Sequence, residues 1–99
     1  MSFKILLAEG AIEDMEKAIA WYEKKVNGLG NYFAKSINSS FELLKINPTI
    51  FQIQFDEFRQ VPIKHFPFVI IYEIIDDGVL IHAIFHTSRN PNRKFIKRK

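Results

Sequence analysis

The chain has 99 residues, 47% of them hydrophobic and 25% charged, with 14 basic and 11 acidic side chains, a formal charge of +3 and no cysteine. That length builds one core, burying roughly 60–70% of the surface an unfolded chain would expose, and the missing thiols exclude a disulfide scaffold or a thiolate zinc site. The apolar run at residues 5–8 stops at Glu9 and nothing later approaches the roughly 20 apolar residues of a membrane span, so an unanchored, cytoplasmic protein with no membrane partner is expected.

Phe3, Ile5 and Leu7 alternate and predict a short first strand. The period then changes: Ile12, Met15, Ile19, Tyr22 and Val26 form the stripe of an amphipathic helix, with Glu13, Glu16, Lys17, Glu23 and Lys24 on the other side. Asn27-Gly28 offers a left-handed position that ends this helix. A second helix is expected from about Asn31, carried by Phe33, Ile37, Phe41 and Leu44, and ending by Asn47 because Pro48 follows. The short link makes the two an antiparallel hairpin.

Beyond Pro48 the period returns to two. Phe51, Ile53 and Phe55 interleave with Gln52 and Gln54 and predict a strand with one apolar face. Residues 59–65 form another extended segment in which Pro62 requires an edge or a bulge. Residues 68–75 are apolar on both faces and predict a central strand covered on both sides. Asp77-Gly78 signals a hairpin turn, after which residues 79–86 pair back antiparallel. The expected fold is α+β, ordered β-α-α-β-β-β with room for one more strand: a helical hairpin on an antiparallel sheet, in one domain spanning residues 1–99 with a basic tail at 92–99.

His82 and His86, with Glu73 on the neighbouring strand, suggest a metal site only at first sight. Side chains four apart on a strand are about 13 Å apart, too far to share one ion. No metal ligand set and no cofactor is read here; His82 is expected to pack against a helix or a partner, and His86 to hydrogen-bond at the strand end. The glycine-rich stretch at residues 27–31 has no P-loop lysine and follows no strand, so it is a helix-to-helix turn. Trp21, Tyr22 and the phenylalanines at 33, 41, 51, 55, 66, 68 and 85 are assigned to packing rather than base stacking. Phe95 stands alone in a basic context.

The +3 total hides an asymmetry. Residues 1–58 carry six lysines against eight acids, residues 59–99 carry eight basic groups against three acids, and from His86 onward there are six basic residues and no acid. Such a field attracts phosphate or an acidic protein segment. Arg89 follows a strand end, where a loop presents its planar fork to phosphate or carboxylate, and Arg59, Lys64, Arg93 and Lys94 are candidates for the same surface.

Several stretches together resemble a known family: EDMEKAIAWYEKKVNGLGNYF at residues 13–33, Asn47-Pro48, FRQVPIKHFPFVIIYEI at 58–74, DDG at 76–78 and AIFHTSRNP at 83–91. In order, they are similar to toxins of bacterial type II toxin-antitoxin modules, the ParE/RelE superfamily, and to its ParE-like branch of plasmid stabilisation proteins, over roughly residues 11–94. The resemblance implies the same helical hairpin on a sheet, and a cognate antitoxin that wraps and neutralises the toxin. RelE-like members cut mRNA on the ribosome. For them the resemblance implies an arginine on the central strand, which falls here on Val69, a second after the last strand, matched by Arg89, and a late tyrosine, which falls near Phe95. Valine cannot hold a phosphate and phenylalanine cannot pass a proton, which points away from cleavage. ParE-like members are similar to inhibitors that trap DNA gyrase by binding. The target-binding residues expected are therefore Arg59, Lys64, His86, Arg89, Asn90, Arg93 and Lys94, with DNA gyrase as target. Two alternatives stay open: a ribosome-dependent mRNA endonuclease using His86 and Arg89, and an orphan toxin that keeps only antitoxin binding. A homodimer and a toxin-antitoxin hetero-oligomer are both compatible with this reading.

Overall fold

A computed structural model describes residues 2–88. Strand β1 (Lys4–Leu7) leads into helices α1 (Glu9–Lys25) and α2 (Leu29–Ile46), a short 3-10 turn (Pro48–Ile50), and strands β2 (Ile53–Phe55), β3 (Phe58–Pro62), β4 (Phe68–Ile75) and β5 (Gly78–His86). The sheet order is β1-β5-β4-β3-β2, so β4 is central as its two apolar faces predict. β2 to β5 form an antiparallel meander, whereas β1 lies parallel to β5, with Ile5 beside Val79 and Leu7 beside Ile81. The sheet is thus mixed rather than purely antiparallel: after the two helices the chain enters β2 antiparallel to β1, and the three reversals that follow bring β5 alongside β1 in the same direction, a pairing that no local pattern encodes.

The helices cover one face. Phe33, Ile37 and Leu44 of α2 and Ala11 and Ala18 of α1 pack onto Phe68, Ile70, Tyr72, Val79, Ile81 and Ile84 of the sheet. Fully burying a Phe, Ile or Leu side chain is worth about 1.5–3 kcal/mol, so this layer supplies most of the driving force. The fully buried positions of α1 are the two alanines; Met15, Ile19 and Tyr22 of the expected stripe pack on the core partly buried, while Ile12 and Val26 are 40% and 59% exposed. Small side chains let α1 lie close to the sheet, which a scan for large apolar residues does not register.

The helix connection is held by one side chain. Glu23 accepts the Gly28 N–H on Oε2 and the Gly30 N–H on Oε1, both at 2.9 Å, and so satisfies amides at the start of α2, where Gly28 itself offers no capping side chain. Gly28 takes the left-handed conformation (φ 91°). At Gly30 the requirement is space: a Cβ there would sit 2.7 Å from the Ile19 carbonyl oxygen of α1.

The β4–β5 turn is one residue earlier than expected. Its two loop residues are Asp76 and Asp77, with Asp76 at φ 54°, while Gly78 already pairs with Ile75. Gly78 sits in a close approach, since a Cβ would come within 3.1 Å of Leu6 Cδ1 on β1. A matching two-residue turn at Asp56 and Glu57, with Asp56 at φ 51°, joins β2 to β3. Phe51 belongs to the exit of the 3-10 turn and packs on the core, so β2 is shorter than the alternation suggests. Pro62 pairs with Val69 at the end of β3, beyond Arg59, where pairing with β2 ends. The Ile63 N–H donates to the Phe68 carbonyl, so alternation turns the Pro62 nitrogen away from β4, towards the side where no donor is needed.

The β4–β5 ladder slips once. Ile71 faces Ala83 but Tyr72 faces Ile81, leaving His82 as the extra residue of a bulge. Val79 and Ile81 point to the helices, and so does Ile84, whereas Ala83 and Phe85 point to the opposite face with Ile71, Val69 and Phe58. Beyond Ile81 the β1 side of β5 is met by α1 instead, where Asp14 Oδ2 accepts the Ile84 N–H at 2.9 Å.

Tyr72 ties the sheet to the helix exit. Its hydroxyl donates to the Pro48 carbonyl at 2.7 Å, and the residue is fully buried. Burial pushes its pKa up to about 12, with the Arg59 charge partly opposing the rise. The neutral phenol is thus favoured in the folded state. Stability contributed by this shift is present below pH 10 and falls as pH rises from about 10 to about 12, by on the order of 2 kcal/mol. Tyr72→Phe is expected to cost about 1–2 kcal/mol at neutral pH and to flatten this alkaline decline, measured by urea unfolding at a series of pH values. Gly30→Ala is expected to destabilise by about 2 kcal/mol through overpacking against α1, read from the thermal midpoint.

Candidate functional site

Three segments meet at one end of the molecule: the α1–α2 turn, the β3–β4 turn and the end of β5. The Thr87 N–H donates to the Pro67 carbonyl at 2.8 Å, and Phe66 packs against Tyr22, Tyr32 and Phe33 with ring centroids 4.7–5.4 Å apart. Of the residues expected to contact a target, Lys64 and His86 lie here. Lys64 is exposed in the β3–β4 turn. His86 pairs with Phe68 and meets its ring edge-on at 5.0 Å, and its Nδ1 accepts the Ser88 N–H at 3.1 Å, the strand-end hydrogen bond read from the sequence. Arg89, Asn90, Arg93, Lys94 and the 92–99 tail lie outside the described residues.

Arg59 is placed elsewhere. It pairs with Tyr72 on the helix-facing side of the sheet, and its Nη1 donates to the Phe51 carbonyl at 2.6 Å. In that position the guanidinium clips the 3-10 exit to β3.

His82 and His86 sit on opposite faces because the bulge intervenes. His82 projects from the face without helices, where its Nε2 is 2.7 Å from Glu73 Oε1 and its ring meets Phe58 edge-on at 4.8 Å. Of the contacts expected for His82, with a helix or a partner, the helix contact is replaced by a cross-strand pair with an acid. Among the described residues no three His, Asp or Glu side chains converge as a metal ligand set, and no helix is long and apolar enough to cross a membrane.

Val69 belongs to the apolar cluster of this second face with Ile71, Ala83, Phe85 and Phe58. The neighbouring Gln60 keeps its Oε1 buried with no hydrogen-bond partner among the described residues. The central-strand position for which the resemblance implies an arginine is thus held by a half-buried valine packed beside apolar side chains.

Two residues at the basic end escaped the sequence reading. Tyr32 is 45% exposed and stacks on His65 at 5.8 Å, with 28° between the rings. His65 has φ 74°, and no periodicity marks a histidine in a turn. Trp21 also departs from its assignment to the core: it is 40% exposed and carries Lys25 Nζ 4.6 Å from its ring centroid.

The structure is similar to a chain of the chromosomal ParDE toxin-antitoxin system from P. aeruginosa, with a TM-score of 0.72 at 12% identity, over 85% of this chain and 95% of that one. A conserved hypothetical protein from Helicobacter pylori is matched at 20% identity and a TM-score of 0.46, over 83% of this chain and 91% of that one. No curated protein matches the chain. The profile of the ParE toxin of the type II toxin-antitoxin system parDE matches residues 5–91, and the chain belongs to that family. Membership implies a cognate antitoxin as its partner.

Arg59→Gln is expected to lower stability by about 1.5–3 kcal/mol, the range for a hydrogen bond from a charged donor, measured as a shift of the denaturant midpoint at unchanged slope.

Proposed function

We propose that this ParE-family toxin arrests growth by binding, with DNA gyrase as its target, and that its antitoxin neutralises it in the cytoplasm. The observation that carries the reading is the apolar setting of Val69. RNA cleavage through the 2′-hydroxyl requires proton transfer and cations that stabilise the charge of the phosphorane, whereas Val69 is packed among Ile71, Ala83 and Phe85. The residues offered to the target are Lys64 and His86 at the basic end, with Arg89, Asn90, Arg93 and Lys94 following in sequence; Arg59 contributes through the order it gives to the β2–β3 side.

The antitoxin is assigned to apolar surface away from that end. Leu43, Ile46 and Ile50 are 38%, 73% and 52% exposed near the far end of α2, and Ile46 lies about 20 Å along the helix from Tyr32.

Induction of the toxin without its antitoxin tests the reading. Growth arrest with gyrase-dependent DNA damage and intact mRNA is expected; cleaved message with undamaged DNA would establish the endonuclease alternative, and normal division would leave an orphan toxin. The double variant Arg89→Ala/Arg93→Ala is expected to lose toxicity while still co-purifying with the antitoxin. Loss of both together would make the basic segment the antitoxin site.

A further inference from the structure

The aromatic chain at the basic end has a shape that core packing does not explain. Rings follow one another from Trp21 to Tyr22 (5.1 Å), Phe66 (4.9 Å), Tyr32 (5.4 Å) and His65 (5.8 Å). The middle of this chain is partly buried against the core, but both ends emerge: Trp21 is 40% and Tyr32 45% exposed, and His65 is exposed. Lysines accompany both ends, Lys25 over the Trp21 ring and Lys64 beside His65 in sequence. Residues 24–32, 63–68 and 86–88 contain Lys24, Lys25 and Lys64 and no carboxylate. Glu23, the acid next to this region, is engaged by the Gly28 and Gly30 amides.

His65 adds an independent observation. Its φ of 74° lies in the left-handed region, where a residue other than glycine costs roughly 1 kcal/mol or more. In that turn the ring lies against Tyr32.

We propose that this end of the molecule is a docking platform for a nucleic-acid strand, in which a base extends the Tyr32–His65 stack and Lys64 meets an adjacent phosphate. Partly exposed rings beside lysines suit a single strand, whose bases are free to stack on aromatic side chains while cations follow its backbone. An acidic protein segment would use the lysines but gain little from a stacked pair of rings. The proposal goes beyond the function proposed above and does not depend on gyrase being the target.

The test is binding of the full-length chain to a short, mixed-sequence, fluorescein-labelled single-stranded DNA, followed by anisotropy across a salt titration. Tyr32→Ala is expected to weaken binding about tenfold, as for the loss of one base-stacking ring. Lys64→Gln is expected to lower the slope of log affinity against log salt by roughly 0.7, one phosphate contact on a single strand. His65→Gly separates binding from folding: it removes the ring while relieving the left-handed strain, so binding should weaken with no loss of thermal stability. If Tyr32→Ala and His65→Gly bind the DNA as tightly as the unaltered chain, the basic tail alone accounts for binding and the platform is refuted. The proposal is equally overturned if these variants lose the antitoxin but keep the DNA, since the surface is then a protein site. Gyrase-dependent toxicity is scored separately, so failure of the platform leaves that reading standing, and the reverse.

Discussion

The extra residue in the β4–β5 ladder decides what lies on each side of the sheet. Without it, strict alternation from Val79 would carry Ala83 and Phe85 under the helices and Ile84 to the opposite face. With His82 inserted, Ile84 enters the main core, Phe85 joins Val69 and Ile71, and His86 arrives beside Phe68 on the helix side. The bulge comes just after Ile81, where β1 stops accompanying β5, and α1 supplies Asp14 as acceptor for the next outward amide. One slip in register thus sets both the apolar character of the second face and the location of the strand end from which the basic segment follows.

The helical hairpin answers a different constraint. Its turn must bring two long helices together within a few residues, and it does so with backbone rather than side chains at the closest point, Gly30 against the Ile19 carbonyl. Glu23 then holds the start of α2 by two charge-assisted hydrogen bonds. The result fixes Tyr22, Tyr32 and Phe33 around Phe66, so the hairpin turn and the β3–β4 turn are joined by rings rather than by strand pairing. A rigid junction suits a surface that has to be presented to a large partner.

Much of this architecture is legible in the sequence because it depends on local periodicity. The stripes through Phe33, Ile37, Phe41 and Leu44, the two-sided apolar run of β4 and the stop imposed by Pro48 identify α2, β4 and their order. What escapes is non-local. The parallel placement of β1, the bulge at His82 and the shift of the last turn to Asp76-Asp77 depend on partners distant in sequence, to which a window of neighbouring residues is blind. For the site, charge clustering finds Lys64, His86 and the basic run, and the family resemblance singles out Val69. Charge alone does not distinguish Arg59, whose guanidinium is engaged by a carbonyl, from a lysine in an exposed turn. Nor does it find Tyr32 and His65, which become neighbours only when the two turns converge.

Pro62 bears on how such a protein stays free of itself. A molecule made to associate with others exposes sheet edges, and an exposed edge is a template for unwanted strand addition. On the β2 side the outer strand has three residues and the next strand ends at a proline whose nitrogen cannot donate. Another chain growing along that side would lose its ladder where β2 gives out. Strand addition through that edge is thereby made less favourable by the covalent structure of the chain itself.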